Sequence, residues 1–119
     1  IEASMERFLR LDKPDFIGRA PTLVSKQRGP RMKLVYMEVD NTDSDCMGNE
    51  PVYHGGKVVG VTTSGAFGHK VGKSLAFAYV DPKLAAEGTE FDVMVFTETR
   101  RARIIPESIW DAENARLRA

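Results

Sequence analysis

The chain has 119 residues, with 17 Lys+Arg against 17 Asp+Glu, 42% hydrophobic and 29% charged residues, which fits one globular domain around one core and excludes disorder. A formal net charge of zero removes the general attraction for polyanions, so nucleic acid is not expected as a partner. One cysteine, Cys46, excludes an internal disulfide and a cysteine-rich zinc site, and no apolar run approaches the roughly 20 residues of a membrane span, so no membrane partner is expected.

Residues 1–13 place Met5, Phe8, Leu9 and Leu11 among charges, the pattern of a short amphipathic helix or an ordered linker. A helix is predicted from about Arg19, with Pro21 in its first turn, Lys26 and Arg28 in its last and Gly29-Pro30 as its stop. Leu34–Val39 is a strand-length run, followed by the polar loop 40–49. Val52-Tyr53 and Val58–Ser64 flank His54-Gly55-Gly56-Lys57, where two glycines supply the positive φ of a tight hairpin. Gly65–Gly72 holds three glycines in eight residues and reads as a shaped loop entering a further strand, Lys73–Val80, in which Leu75, Phe77 and Tyr79 alternate with smaller residues. Asp81-Pro82 up to Gly88 predicts one or two helical turns. Segments 90–96 and 101–105 form a second predicted hairpin around Thr97–Arg100, and the tail after Pro106 is helical or frayed. Short strands with a single brief helix among them exclude parallel βαβ units. The expectation is a mainly β fold: a small antiparallel barrel of about six strands over residues 31–119, preceded by a helical linker over 1–30.

Known catalytic patterns do not fit. Gly72-Lys73-Ser74 resembles the end of a P-loop, but the position five residues before Gly72 is Phe67, and the segment leads into a strand instead of a helix. Asp40, Asn41, Asp43, Asp45 and Glu50 imitate a calcium loop, yet Cys46 stands where the sixth-position glycine belongs, so a solvated acidic turn is expected and no metal site. His54 and His69 lack partners at ligand spacing. Acidic neighbours make Cys46 a poor nucleophile. Lys26, Arg28, Arg31 and Lys33, with Arg100, Arg101 and Arg103, offer basic surface. The alternative they support is a non-catalytic interaction barrel that binds RNA or protein. No catalytic residue is expected within the chain.

The ordered string Lys13–Arg19, Glu50–Tyr53, Lys57–Gly65, Gly68–Val80 and Gly88-Thr89 resembles the C-terminal domain of the folate-dependent aminomethyltransferase family, which includes the glycine cleavage T-protein and the C-terminal regions of sarcosine and dimethylglycine dehydrogenases. Gly68–Ser74 is more similar to the dehydrogenase branch, and Ala20-Pro21 departs from the Glu-Ala frequent in relatives. The resemblance implies a small antiparallel barrel that closes one side of a tetrahydrofolate site. The transfer aspartate and the acid that recognises the pterin would lie in preceding domains of the same polypeptide, and FAD, where present, in a still earlier one. Folate and those domains are then the expected partners, and the cytoplasm, or the mitochondrial matrix of a eukaryote, the expected compartment. On this reading the chain is a piece of a larger enzyme, idle alone. Its folate-facing candidates are Ser64, Gly65, Phe67, Gly68 and His69, with Phe67 as packing surface and His69 as polar contact, and Trp110 in the tail is a second.

Overall fold

The computed structural model describes residues 1–119. Six strands, β1 (Lys33–Val39), β2 (Pro51–His54), β3 (Lys57–Gly68), β4 (Lys73–Val80), β5 (Glu90–Val95) and β6 (Glu98–Ile105), close into a barrel in the order β1-β4-β3-β2-β5-β6, and every neighbouring pair is antiparallel. Closure removes the free sheet edges that an open sheet of this size would expose. The long strand β3 carries the two irregularities that permit it: the register slips at Val59 on the β2 side and at Thr63 on the β4 side. Such bulges bend a strand sharply enough to turn a corner of a narrow barrel.

The core follows from the pleat. Val35, Met37 and Val39 of β1 alternate inward with Ala76, Ala78 and Val80 of β4, and Phe91, Val93 and Val95 of β5 close the other side. Inward positions of β4 are small because six strands leave little internal width. The large residues Leu75, Phe77 and Tyr79 therefore face outward, half-buried. Gly60 is inward and has no room for a side chain: an added Cβ would sit 2.3 Å from the Tyr79 carbonyl oxygen.

Helix α1 (Arg19–Arg28) starts and stops where the sequence predicts, its Gly29 amide donating to the Ser25 and Lys26 carbonyls. It buries no residue, and with the N-terminal segment it extends the molecule to a radius of gyration of 16.4 Å, against about 13–14 Å for a compact chain of this length. Residues 1–13 form no amphipathic helix. A single 3₁₀ turn, Glu6–Phe8, is all that winds there, because the Glu2 carbonyl accepts from the Leu34 amide (2.8 Å) and ties the chain along the start of β1. The hairpin at Gly55-Gly56 forms with both glycines at positive φ (57° and 76°). The loop expected over Gly65–Gly72 is shorter: β3 continues to Gly68, and only residues 69–72 turn. The second hairpin also turns earlier than expected, at Phe96-Thr97, and β6 begins at Glu98. Asp81 caps a single 3₁₀ turn, Pro82–Leu84, by accepting from the Lys83 amide. The tail ends in a four-residue helix, α2 (Ala115–Arg118).

Candidate functional site

The outward faces of β1, β3 and β4 carry the main apolar surface of the barrel. Tyr36 lies in register with Phe77 across β1 and β4, and their rings stack with centroids 4.8 Å apart at 30°. Burial, and secondarily the Glu107 carboxylate nearby, hold the Tyr36 hydroxyl above its ordinary pKa, so it is protonated at neutral pH. Beyond the bulge at Thr63, β3 brings Ser64 opposite Phe77, Gly65 opposite Ala76 and Ala66 opposite Leu75. The result is a groove of about 310 Å³ whose walls include Tyr36, Ser64, Gly65, Phe67, Gly68 and Phe77. It adjoins a larger cavity of about 430 Å³, roofed by Met5 and Phe8 of the N-terminal segment, and the two share Tyr36, Ser64 and Phe77. Arg7, Lys33, Glu87 and Glu107 line the larger one. An apolar slot that includes the Ser64 hydroxyl and adjoins a cavity lined by charged residues suits a flat ligand with a polar tail.

Four of the six residues singled out in the sequence thus gather in the groove: Ser64, Gly65, Phe67 and Gly68. His69 stands outside it on the turn, its ring edge against Phe67 at 5.1 Å. Trp110 lies outside as well, but its ring is flanked by Lys70 Nζ at 5.1 Å and the Arg116 guanidinium at 5.0 Å, which fixes the tail beside the β3–β4 turn. Tyr36 and Phe77 were missed. The signal for Phe77 was the alternation of large and small residues along β4, which does not say which set faces inward, and Tyr36 meets it only through the pairing of β1 with β4.

Gly65 has a structural duty besides lining the groove. A Cβ there would meet the Cys46 carbonyl oxygen at 2.5 Å, so the loop 40–49 folds down across β3 only because position 65 lacks a side chain. The loop is far from a solvated turn. Cys46 and Asn41 are buried, and Asp45 accepts from Ser74 Oγ at 2.5 Å. Glu50 accepts from the Met47 and Gly48 amides (2.8 and 2.9 Å) and from Thr62 Oγ. Partial burial raises the Glu50 pKa, but the hydrogen bonds from Thr62, Met47 and Gly48 outweigh it and leave the carboxyl below its ordinary value. Burial, reinforced by Glu50 and Asp45, pushes the Cys46 thiol up to about 11, so it stays protonated and unreactive at neutral pH. His54 is tied by Nδ1 to the Glu90 carbonyl (3.0 Å). No group of three or more His, Cys, Asp or Glu side chains is placed to hold a metal ion.

The basic trio on β6 is largely neutralised. Arg100 pairs with Asp43 (3.0 Å) and Glu98 (2.5 Å), and Arg101 with Asp92 (3.2 Å) and Glu90 (3.4 Å). Lys73 of the P-loop-like triplet pairs with Glu38 at 2.6 Å, and its strand offers no helix terminus to a phosphate.

A closed six-stranded antiparallel barrel with an apolar groove on its outside, next to a helix that buries no residue, defines a class: a barrel module with a partly exposed apolar face. Residues 32–111 match the glycine cleavage T-protein C-terminal barrel domain, and the chain belongs to that family. It is similar to mitochondrial dimethylglycine dehydrogenase of Mus musculus, 41% identical over 119 residues, covering 99% of this chain and 14% of that protein. It is also similar to an aminomethyltransferase of Thermosynechococcus vestitus, 34% identical over 110 residues, covering 92% of this chain and 30% of that one. Among solved structures, the glycine cleavage system aminomethyltransferase T from Bartonella henselae superposes with a TM-score of 0.80 at 24% identity, covering 90% of this chain and 30% of the other, and shows the same fold. The chain therefore spans between 14 and 30% of the length of these relatives. No helix is long and apolar enough to cross a membrane.

Proposed function

We propose that the chain is the C-terminal barrel of an enzyme that moves a one-carbon unit from an amine carrier to tetrahydrofolate, as an aminomethyltransferase or a dimethylglycine dehydrogenase, and that it closes one side of the folate site. Residues 31–119 form the barrel and residues 1–30 the connector to the preceding domains. The observation that carries this reading is the outer groove, in which Ser64, Gly65, Phe67 and Gly68 line the same apolar slot as the stacked Tyr36–Phe77 pair. Folate has a flat aromatic middle and a carboxylate tail. The slot offers aromatic faces to the first, and Arg7 and Lys33 in the adjoining cavity offer charge-assisted hydrogen bonds to the second. Phe67 supplies packing surface at the rim, His69 a switchable donor beside it, and Trp110 a further ring behind Lys70. The aspartate of the transfer step and the acid that holds the pterin belong to the preceding domains. Any FAD belongs to an earlier one, and the barrel by itself turns nothing over. The ion pairs of Arg100 and Arg101 neutralise two of the three arginines on β6, which favours a capping barrel over one that binds RNA through that strand.

The test uses the intact polypeptide that carries this barrel. Phe67→Ala combined with His69→Ala should weaken binding of 5-formyltetrahydrofolate about tenfold, a loss of about 1.4 kcal/mol, with unchanged thermal stability. Unchanged affinity in a normally folded variant overturns the folate contact.

A further inference from the structure

The tail beyond β6 runs against the direction of the strand that delivers it. β6 ends at Ile105, opposite Tyr36, and points toward the Lys33 end of β1. The turn 69–72 lies at the other end, where Val39 pairs with Ser74. Trp110 nevertheless stands with its ring 5.1 Å from Lys70 Nζ in that turn. The tail therefore doubles back along the outside of β1 and β4, past the outer groove, and forms none of its walls.

Its hydrogen bonds are all internal. Ser108 Oγ donates to the Trp110 carbonyl (2.8 Å), and the Asp111 carboxylate accepts from the Ala115 and Arg116 amides (2.8 and 3.2 Å). The Arg116 guanidinium packs on the Trp110 ring at 5.0 Å. No residue from Pro106 onward is buried, and none forms a hydrogen bond or an ion pair with the barrel. The tail is thus a small body folded around Trp110. Beyond its root at Pro106-Glu107, which lines the larger cavity, its one charged or polar tie to the barrel is the Lys70 contact. Its fold is also strained. Ser108, Asp111 and Asn114 have φ of 58°, 49° and 51°, left-handed backbone that Asn and Asp adopt readily and Ser does not. A strained body on a single exposed cation–π tie is only weakly committed to its position.

A second seat lies within reach. Glu107 lines the cavity that shares Tyr36, Ser64 and Phe77 with the outer groove, and three residues, at most about 10–11 Å of chain, lead from it to Trp110. At Lys70 the tryptophan remains 42% exposed. In the groove its ring would leave water and lie against the stacked Tyr36–Phe77 pair, which favours burial of an aromatic ring.

We infer that residues 106–119 are a strap with two seats: Trp110 parked on Lys70 leaves the outer groove open, and Trp110 moved onto the Tyr36–Phe77 pair closes it. The parked state is the one in the structure. The two seats exclude each other, so loss of the Lys70 charge shifts the strap toward the groove, by about two- to fivefold for one exposed cation–π contact. The strap involves only this chain's own residues and does not depend on the folate reading.

The test is proton–nitrogen NMR of the chain, in which the one tryptophan gives one indole N–H signal. Lys70→Gln should move that signal and, through the ring current of the arriving indole, the backbone amides of Ser64 and Gly65. Lys70→Arg, which keeps the charge, should leave all three in place. In Lys70→Gln combined with Trp110→Ala, the Ser64 and Gly65 amides should coincide with those of Trp110→Ala alone. An indole signal unmoved by Lys70→Gln overturns the latch. An indole signal that moves to the free-peptide position while the Ser64 and Gly65 amides stay puts the tail in solvent and overturns the second seat. Amide shifts that persist without Trp110 come from the turn itself and overturn the strap.

Discussion

Glu50 shows how one side chain fastens a loop to a barrel. Its carboxylate satisfies two loop amides and the Thr62 hydroxyl of β3, and its pKa is lowered in consequence. The folded chain thus binds fewer protons at this site than the unfolded chain in the acid range. The contribution is complete above the unfolded carboxyl value and disappears as pH falls through the lower folded one. Glu50→Gln should cost about 1–2 kcal/mol at pH 7 and flatten the loss of stability between neutral and acid pH, measured by urea unfolding at pH 7 and pH 3.5. An unaltered pH dependence would mean that the loop is held by other groups. Much of this was hidden in the sequence. Glu50 counted there as one more acid of a calcium-like loop, and only the fold sets Thr62, twelve residues away, beside it.

Strand β4 raises the question at the level of an element. Its pattern of large and small residues announces a two-faced strand, and intuition turns the large face inward. The barrel does the reverse, with Ala76 and Ala78 inside and Leu75 and Phe77 outside. Two substitutions distinguish the arrangements. Ala78→Leu adds volume to a fully buried site and should cost about 1–3 kcal/mol or more, whereas Leu75→Ala, on the half-buried outside, should cost less than the roughly 2–5 kcal/mol of a core truncation. Chemical denaturation of both variants measures this, and the opposite ranking would mean that the strand faces are exchanged. The hairpin at Gly55-Gly56 was legible because its chemistry is local: two residues needing positive φ between two β-type runs. The extent of β3 was not, since glycine normally signals a loop. Gly65 and Gly68 instead lie within the strand, where an added Cβ would run into Cys46 and Leu75.

At the scale of the whole molecule, the barrel and its appendages should differ in stability. Helix α1 buries no side chain, so its amides are protected only by its own ten residues, too few for a stable isolated helix. Hydrogen exchange should find residues 19–28 exchanging close to free-peptide rates, and strands β1, β4 and β5 only through global unfolding. Equal protection in α1 would show that the helix packs on the barrel. The sequence alone determined a mainly β barrel of about six strands, their antiparallel sense, the position of α1 and the family, because periodicity, turn residues and motif order are properties of neighbours along the chain. Only the tertiary structure decided which face of each strand is the inside, how loop 40–49 seals the barrel, and which residues meet in the two cavities. Those depend on internal width, on bulges that re-aim β3 and on contacts between residues tens of positions apart, quantities that no local pattern encodes.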